Sequence, residues 1–164
     1  MRRVLLDTNI YGELAIDKEL ARVINNVKKE EWIIYGTKTI RQELRRTPKK
    51  RLFQEKNLRI TMLAIYDKLV KNHNLEIKSN AIKLVAEYIL TYKNLGGGKG
   101  LDEMRNDLMI VACASLNGLD IVASDDCHSL CSERALQAYR IVNDLKRLRT
   151  PMFLRYLEFR RWFV

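Results

Sequence analysis

Glycine, proline and cysteine are all scarce in this 164-residue chain: seven Gly, two Pro and three Cys. Those numbers exclude a collagen-like repeat, a proline-rich disordered tract and a disulfide scaffold. Long apolar runs are missing as well. The longest contenders, 108–116 and 119–123, are far short of a membrane span. The opening Met1-Arg2-Arg3-Val4-Leu5-Leu6 stops at Asp7, too soon for a signal-peptide core. With an odd number of cysteines, this predicts a cytoplasmic protein. Acidic charge is in deficit: 20 Asp+Glu face 30 Lys+Arg, a formal net charge of +10.

What is present is enough apolar material, 47% of residues, to close one core at this length. The surplus of cations favours a polyanionic partner, because Lys and Arg release condensed counterions when they meet phosphates. The densest basic stretch contains Arg41, Arg45, Arg46, Lys49, Lys50 and Arg51, the candidate nucleic-acid contacts. A second basic stretch, from Lys146 to Arg161, is interleaved with aromatic residues.

Val4-Leu5-Leu6 reads as a buried parallel strand, and Trp32–Tyr35 as a second, broken by Gly36. Helical spacing covers 13–29, and Thr39–Gln42 has the capping-box form for a helix that Pro48 ends. Two more helices are expected over 52–72 and 80–95, then one from Asp102 to Asn117 that is apolar nearly all round. Asp102 is a candidate cap for it. Strands at Leu119–Ala123 and Tyr139–Val142, a short helix near 130–138 and a basic, aromatic helix at about 152–164 finish the order. Alternating strands and helices without a hairpin signal predict one α/β domain over 1–164, a three-layer α/β/α sandwich on a central parallel sheet.

In such sheets function gathers at the carboxyl ends of the strands. Asp7, Asp125 and Asp126 follow strands, and Glu43 and Asp107 lie early in the next helices. Two carboxylates about 4 Å apart repel by roughly 4 kcal/mol at an effective dielectric near 20. A cluster of them takes up protons or binds cations. Oxygen-only ligands suit Mg²⁺ or Mn²⁺ rather than Zn²⁺, and such ions promote attack of water on a phosphodiester. Taken singly, each acid has a plainer role: a turn former at Asp7, a surface ion pair at Glu43, a helix-dipole acid at Asp107. Convergence of four positions on one edge outweighs those readings.

Other motifs carry less. Gly96–Gly100 with Lys99 lacks the phosphate-loop spacing and reads as a connection over the site. Cys127, His128 and Cys131 are too few for zinc, and Cys113 is a core residue.

The ordered set Leu-Leu-Asp7-Thr8-Asn9, Glu43, Asn106-Asp107 and Ser124-Asp125-Asp126, closing on Thr150-Pro151, resembles the PIN-domain ribonucleases, including their VapC-like members. That resemblance implies a Mg²⁺- or Mn²⁺-dependent site in which Asp7, Glu43, Asp107 and Asp126 hold metal and Ser124 orients the last acid. Asp125 stands at a variable position, a spectator or a spare ligand. Activity on RNA is implied in the same way, with 5′-phosphate and 3′-hydroxyl products. A small antitoxin protein occluding the crevice is implied if the chain is a toxin, and not if it is an RNA-processing nuclease. Homodimers are common in the family. The sequence departs from its pattern at Cys127-His128-Ser129, where an aromatic residue is usual, and in the extra acids Asp102 and Glu103. A non-catalytic RNA-binding module is the alternative from another class. A receiver domain ranks last, since only Asp7 follows the first strand.

Overall fold

The computed structural model describes residues 1–48, 50–53 and 55–164. Five parallel strands form its sheet: β1 (Arg2–Leu6), β2 (Trp32–Thr37), β5 (Asn74–Leu75), β6 (Ile121–Ala123) and β7 (Met152–Leu154), in the order β5-β2-β1-β6-β7. β1 lies at the centre, with Val4 in register with Ile34 on one side and Ile121 on the other. Its Val4, Leu5 and Leu6 are all fully buried, which explains why the strand is continuously apolar instead of alternating. Helices cover the sheet. α1 (Thr8–Ile16), α3 (Lys38–Arg46) and α4 (Leu58–Val70) pack as one group, and α2 (Leu20–Lys29) lies on β2. α5 (Ser79–Asn94), α6 (Leu101–Leu116) and α7 (Glu133–Leu145) form the other group. No helix among the described residues is long and apolar enough to cross a membrane.

Several expectations need correction. The 13–29 segment is two helices, broken where Asp17 ends α1. The 52–72 helix begins only at Leu58, because the Asn57 side chain accepts from the Ile60 amide and caps it there. Before it, β3 (Leu52–Phe53) and β4 (Lys56–Asn57) make a small antiparallel hairpin that the sequence reading excluded. Tyr139–Val142 is helical: Ala135, Ala138, Tyr139 and Val142 are buried at helical spacing within α7. The expected helix from Met152 starts as strand β7, and only Tyr156–Arg160 forms helix α8. α3 is capped by Thr37, whose hydroxyl accepts from Ile40 N at 3.2 Å, so Thr39 is not the cap. Gly100, not Asp102, caps α6.

Gly36 does not break β2 but lies inside it. A Cβ there would fall 2.1 Å from the Tyr66 hydroxyl, which crosses the strand to reach Asn74 Oδ1 at 2.7 Å. The glycine is a space requirement. At the end of the chain, Phe159 and Phe163 bury their rings against Trp32 at centroid separations of 5.9 and 4.8 Å.

Candidate functional site

Parallel strands all end on the same edge of the sheet, and there β1 and β6 deliver Asp7 and Ser124 side by side. Asp7 also caps α1. Its Oδ1 accepts from Thr8 N at 2.6 Å, and its Oδ2 accepts from Asn9 Nδ2 and Ser124 Oγ, both at 2.7 Å. Ser124 Oγ in turn accepts from Asp126 N at 3.1 Å, which sets the turn after β6. Glu43, near the middle of α3, accepts from the Thr8 hydroxyl at 2.6 Å and from Asn106 Nδ2 on α6. Asp107, beside Asn106, meets the Ser129 hydroxyl. Asp126 accepts from the amides of His128 and Ser129, each at 2.9 Å, and also meets Ser129 Oγ.

The charges of these groups act on one another. Burial pushes Asp7 up to about 6, against the hydrogen bonds from Ser124 and Thr8, and the charges of Asp107 and Glu43 push the same way. Burial likewise raises Asp107 to about 6, opposed by Ser129 and reinforced by Asp126 and Glu43. Asp126 is also desolvated, yet its bonds to Ser129 and His128 and the charge of Lys99 hold it below the ordinary range. Proton counting points the same way. The Ser129 hydroxyl lies against both Asp107 and Asp126 but has one proton to donate, so ionised carboxyls leave one contact unsatisfied. That pair is completed by a proton or by a cation.

The donor set therefore suits a hard cation in chemistry: four carboxylates, with oxygen donors only. Their oxygens are aimed at hydroxyls and amides, and among the described residues no three Asp, Glu, His or Cys side chains converge as a ready metal cage.

Asp7, Glu43, Asp107, Asp126 and Ser124 are thus brought together. Asp125 turns the other way, its Oδ1 accepting from Tyr156 N at 2.9 Å at the start of α8. Arg41 is engaged at the surface, paired with Asp67 at 3.0 Å and lying over the Tyr66 ring. Arg45, Arg46, Lys50 and Arg51 are exposed, whereas Lys49 lies outside the described residues. Arg41 and Arg45 also border a cleft of about 830 Å³ between α3 and β5.

One participant escaped the sequence reading, and another was read only as part of a connection. Ser129 sits in an ordinary-looking turn, and only the fold sets it against Asp107, 22 residues away. Lys99 belongs to the glycine-rich connection after α5, and its charge reaches both Asp107 and Asp126. A lysine between glycines beside an acidic helix start was the available signal.

The sheet order, the helices on both faces and the carboxylate-lined edge define a PIN-like α/β/α protein. Its fold is the VapC-type PIN fold found in several solved complexes. VapBC2 from Rickettsia felis, solved bound to a DNA fragment from their promoter, matches with 12% identity and a TM-score of 0.57, covering 93% of this chain and 98% of that one. DNA-bound VapBC from Salmonella typhimurium matches at 19% identity and TM-score 0.57, over 95% and 99% of the two chains. VapBC-1 from nontypeable Haemophilus influenzae matches at 18% and 0.55, over 94% and 98%. At these identities the shared property is the fold. No family model and no curated protein matches the sequence.

Proposed function

We propose that this protein is a Mg²⁺- or Mn²⁺-dependent endoribonuclease of the VapC type. The observation that carries the reading is the acid cluster at the carboxyl edge of the sheet, where Asp107 feels the charges of Glu43 and Asp126 and Asp7 those of Asp107 and Glu43, in a protein with a net charge of +10. A scaffold has no use for a self-repelling acid cluster, whereas a phosphodiesterase needs one, with cations around it for the backbone.

Asp7, Asp107 and Asp126 would hold the ion, with Glu43 as a fourth donor. When bound, the ion supplies Lewis acidity toward water and the scissile phosphate. The protein's own groups do the rest. Ser124 and Asn9 hold Asp7 in one orientation, and Thr8 and Asn106 grip both oxygens of Glu43. Ser129 ties Asp107 to Asp126. Lys99 meets the negative charge of the phosphate, and Arg45, Arg46, Lys50 and Arg51 extend the path of the RNA away from the crevice.

The matching structures are two-component VapBC complexes, which supports a toxin role for this chain with a small antitoxin covering the acids, and a homodimer as its own assembly. The test is cleavage of labelled single-stranded RNA with Mg²⁺ or Mn²⁺, beside EDTA and Asp7→Asn. EDTA-sensitive cleavage that leaves 5′-phosphate ends and disappears in Asp7→Asn is the expected result. Equal cleavage by wild type and variant defeats the reading. Salt-dependent RNA binding without any cleavage replaces it with the non-catalytic binding module.

A further inference from the structure

Because the strands are parallel, they also all begin on one edge, opposite the acids. Two clefts open along it. The first, about 500 Å³, lies at the starts of β1, β6 and β7 and is lined by Arg2, Arg140 and Arg149. The second, about 430 Å³, lies between the start of β2 and the ends of α2 and α4 and is lined by Lys28, Lys68 and Lys71. Met1 borders both, so the two clefts are neighbours on this edge, together called the trough below.

Its charge is one-sided. Asp120 and Glu31 are the acids that line it, and Asp120 is already engaged, accepting from Arg3 N at 2.7 Å and pairing with Arg149 at 2.6 Å. Lys28, Lys68 and Arg140 are exposed and, among the described residues, form no ion pair. At one end Arg2 lies 3.9 Å from the ring centre of Trp162, which is 52% exposed. Exposed cations along a groove are what the phosphates of a single strand need.

We propose that this strand-start edge is a second binding surface, taking the phosphate backbone of single-stranded nucleic acid. The inference extends the nucleic-acid reading above, but its test does not require cleavage. β1 separates the trough from Asp7 by five residues, about 16 Å of strand. An RNA held at both places must pass around the sheet, so the edge anchors long substrates and is bypassed by short ones.

The experiment is fluorescence anisotropy of a labelled single-stranded RNA of about 30 nucleotides, titrated across salt concentrations. It compares wild type, Asp7→Asn, the edge variant Lys28→Glu/Lys68→Glu/Arg140→Glu, and the crevice-side variant Arg45→Glu/Arg46→Glu. The edge positions are exposed, so unchanged circular dichroism and melting temperature are expected. The expected result is a loss of affinity of about ten-fold or more in the edge variant, with a salt slope smaller by about two, since each single-strand phosphate contact contributes roughly 0.7. Asp7→Asn should bind at least as tightly as wild type. If no RNA is cleaved but the edge variant still loses binding, the nuclease reading fails and this one stands. Wild-type affinity in the edge variant, with loss confined to the crevice-side variant, overturns the proposal. So does unchanged RNA binding together with sedimentation on phosphatidylserine vesicles that the edge substitutions abolish, which would assign the edge to a lipid surface.

Discussion

Asp7 and Asp17 open and close the same short helix, α1; Asp7 is buried, whereas Asp17 is only partly buried. Both accept several hydrogen bonds. Yet Asp7 titrates near 6 and Asp17 near 2. Desolvation works against the charge at both, more strongly at the buried Asp7, and the partners widen the difference. Asp7 has only neutral donors, Thr8 N, Asn9 and Ser124, and feels the like charges of Asp107 and Glu43. Asp17 accepts from the Arg160 Nε at 2.6 Å, from the Tyr156 hydroxyl and from Glu19 N at 2.8 Å. Neutral hydrogen bonds do not offset burial beside other acids, whereas one guanidinium does. The first arrangement leaves its acids without an opposite charge of their own. The second contains its own, and uses it to tie α8 to the far end of α1.

The largest expected effect breaks the first arrangement. Asp7→Asn should lower RNA cleavage by a hundred-fold or more while making the metal-free protein more stable near pH 7, by about 1–2 kcal/mol in urea unfolding. Loss of activity with loss of stability would instead mark Asp7 as a structural cap.

The pH dependence sharpens the contrast. A carboxyl raised to about 6 in the folded protein binds more protons there than in the unfolded chain between roughly pH 4 and 6. Stability contributed by protonated Asp7 and Asp107 is therefore lost as pH rises through that window. Metal-free wild type should lose about 3–4 kcal/mol between pH 4.5 and 6.5 relative to Asp7→Asn/Asp107→Asn, about half of it from each carboxyl. A parallel profile in the two proteins would refute the raised values. Asp17 acts in the opposite direction, its contribution present above about 4 and lost as pH falls toward 2.

A smaller effect concerns the cation itself. Mg²⁺ or Mn²⁺ at ten times its Kd should stabilise the wild type by about 1.4 kcal/mol near pH 7, read as a rise in melting temperature. Asp107→Asn should lose that increment and Asp17→Asn should keep it. The smallest expected change is Asp17→Asn itself: a loss of about 1 kcal/mol in urea unfolding, limited because Arg160 is partly exposed and screened, with cleavage within two-fold of wild type. A large loss of activity in Asp17→Asn would show that the two arrangements are coupled through α1.

Much of the candidate site was legible before any coordinates. Asp7 and Asp126 follow apolar strand runs, and Glu43 and Asp107 fall in the helices that periodicity marks, although further along α3 and α6 than the first turn, so topology brings them toward one edge. Their partners were not legible. Ser129 has no pattern of its own, and the Asp17 anchor joins residues 139 and 143 positions apart. The hairpin at 52–57 and the strand at Met152–Leu154 were missed for a related reason. Segments of two or three residues carry too little periodicity to separate strand from helix, and pairing with a neighbour decides them.

The sequence by itself determined the parallel core, through the buried run Val4-Leu5-Leu6, the excess of cations, and the set of acids that a parallel sheet gathers at its carboxyl edge. Only the tertiary structure decided which of those acids are left uncompensated. That depends on what each carboxylate meets across the fold: a guanidinium for Asp17, the start of α8 for Asp125, and for Asp7 and Asp107 hydroxyls, amides and one another. Local sequence sets where a charge lies along an element. The balance of desolvation against opposite charge is settled by partners distant in the chain, and here that balance separates a carboxylate paired with a guanidinium from those that meet only neutral donors and one another.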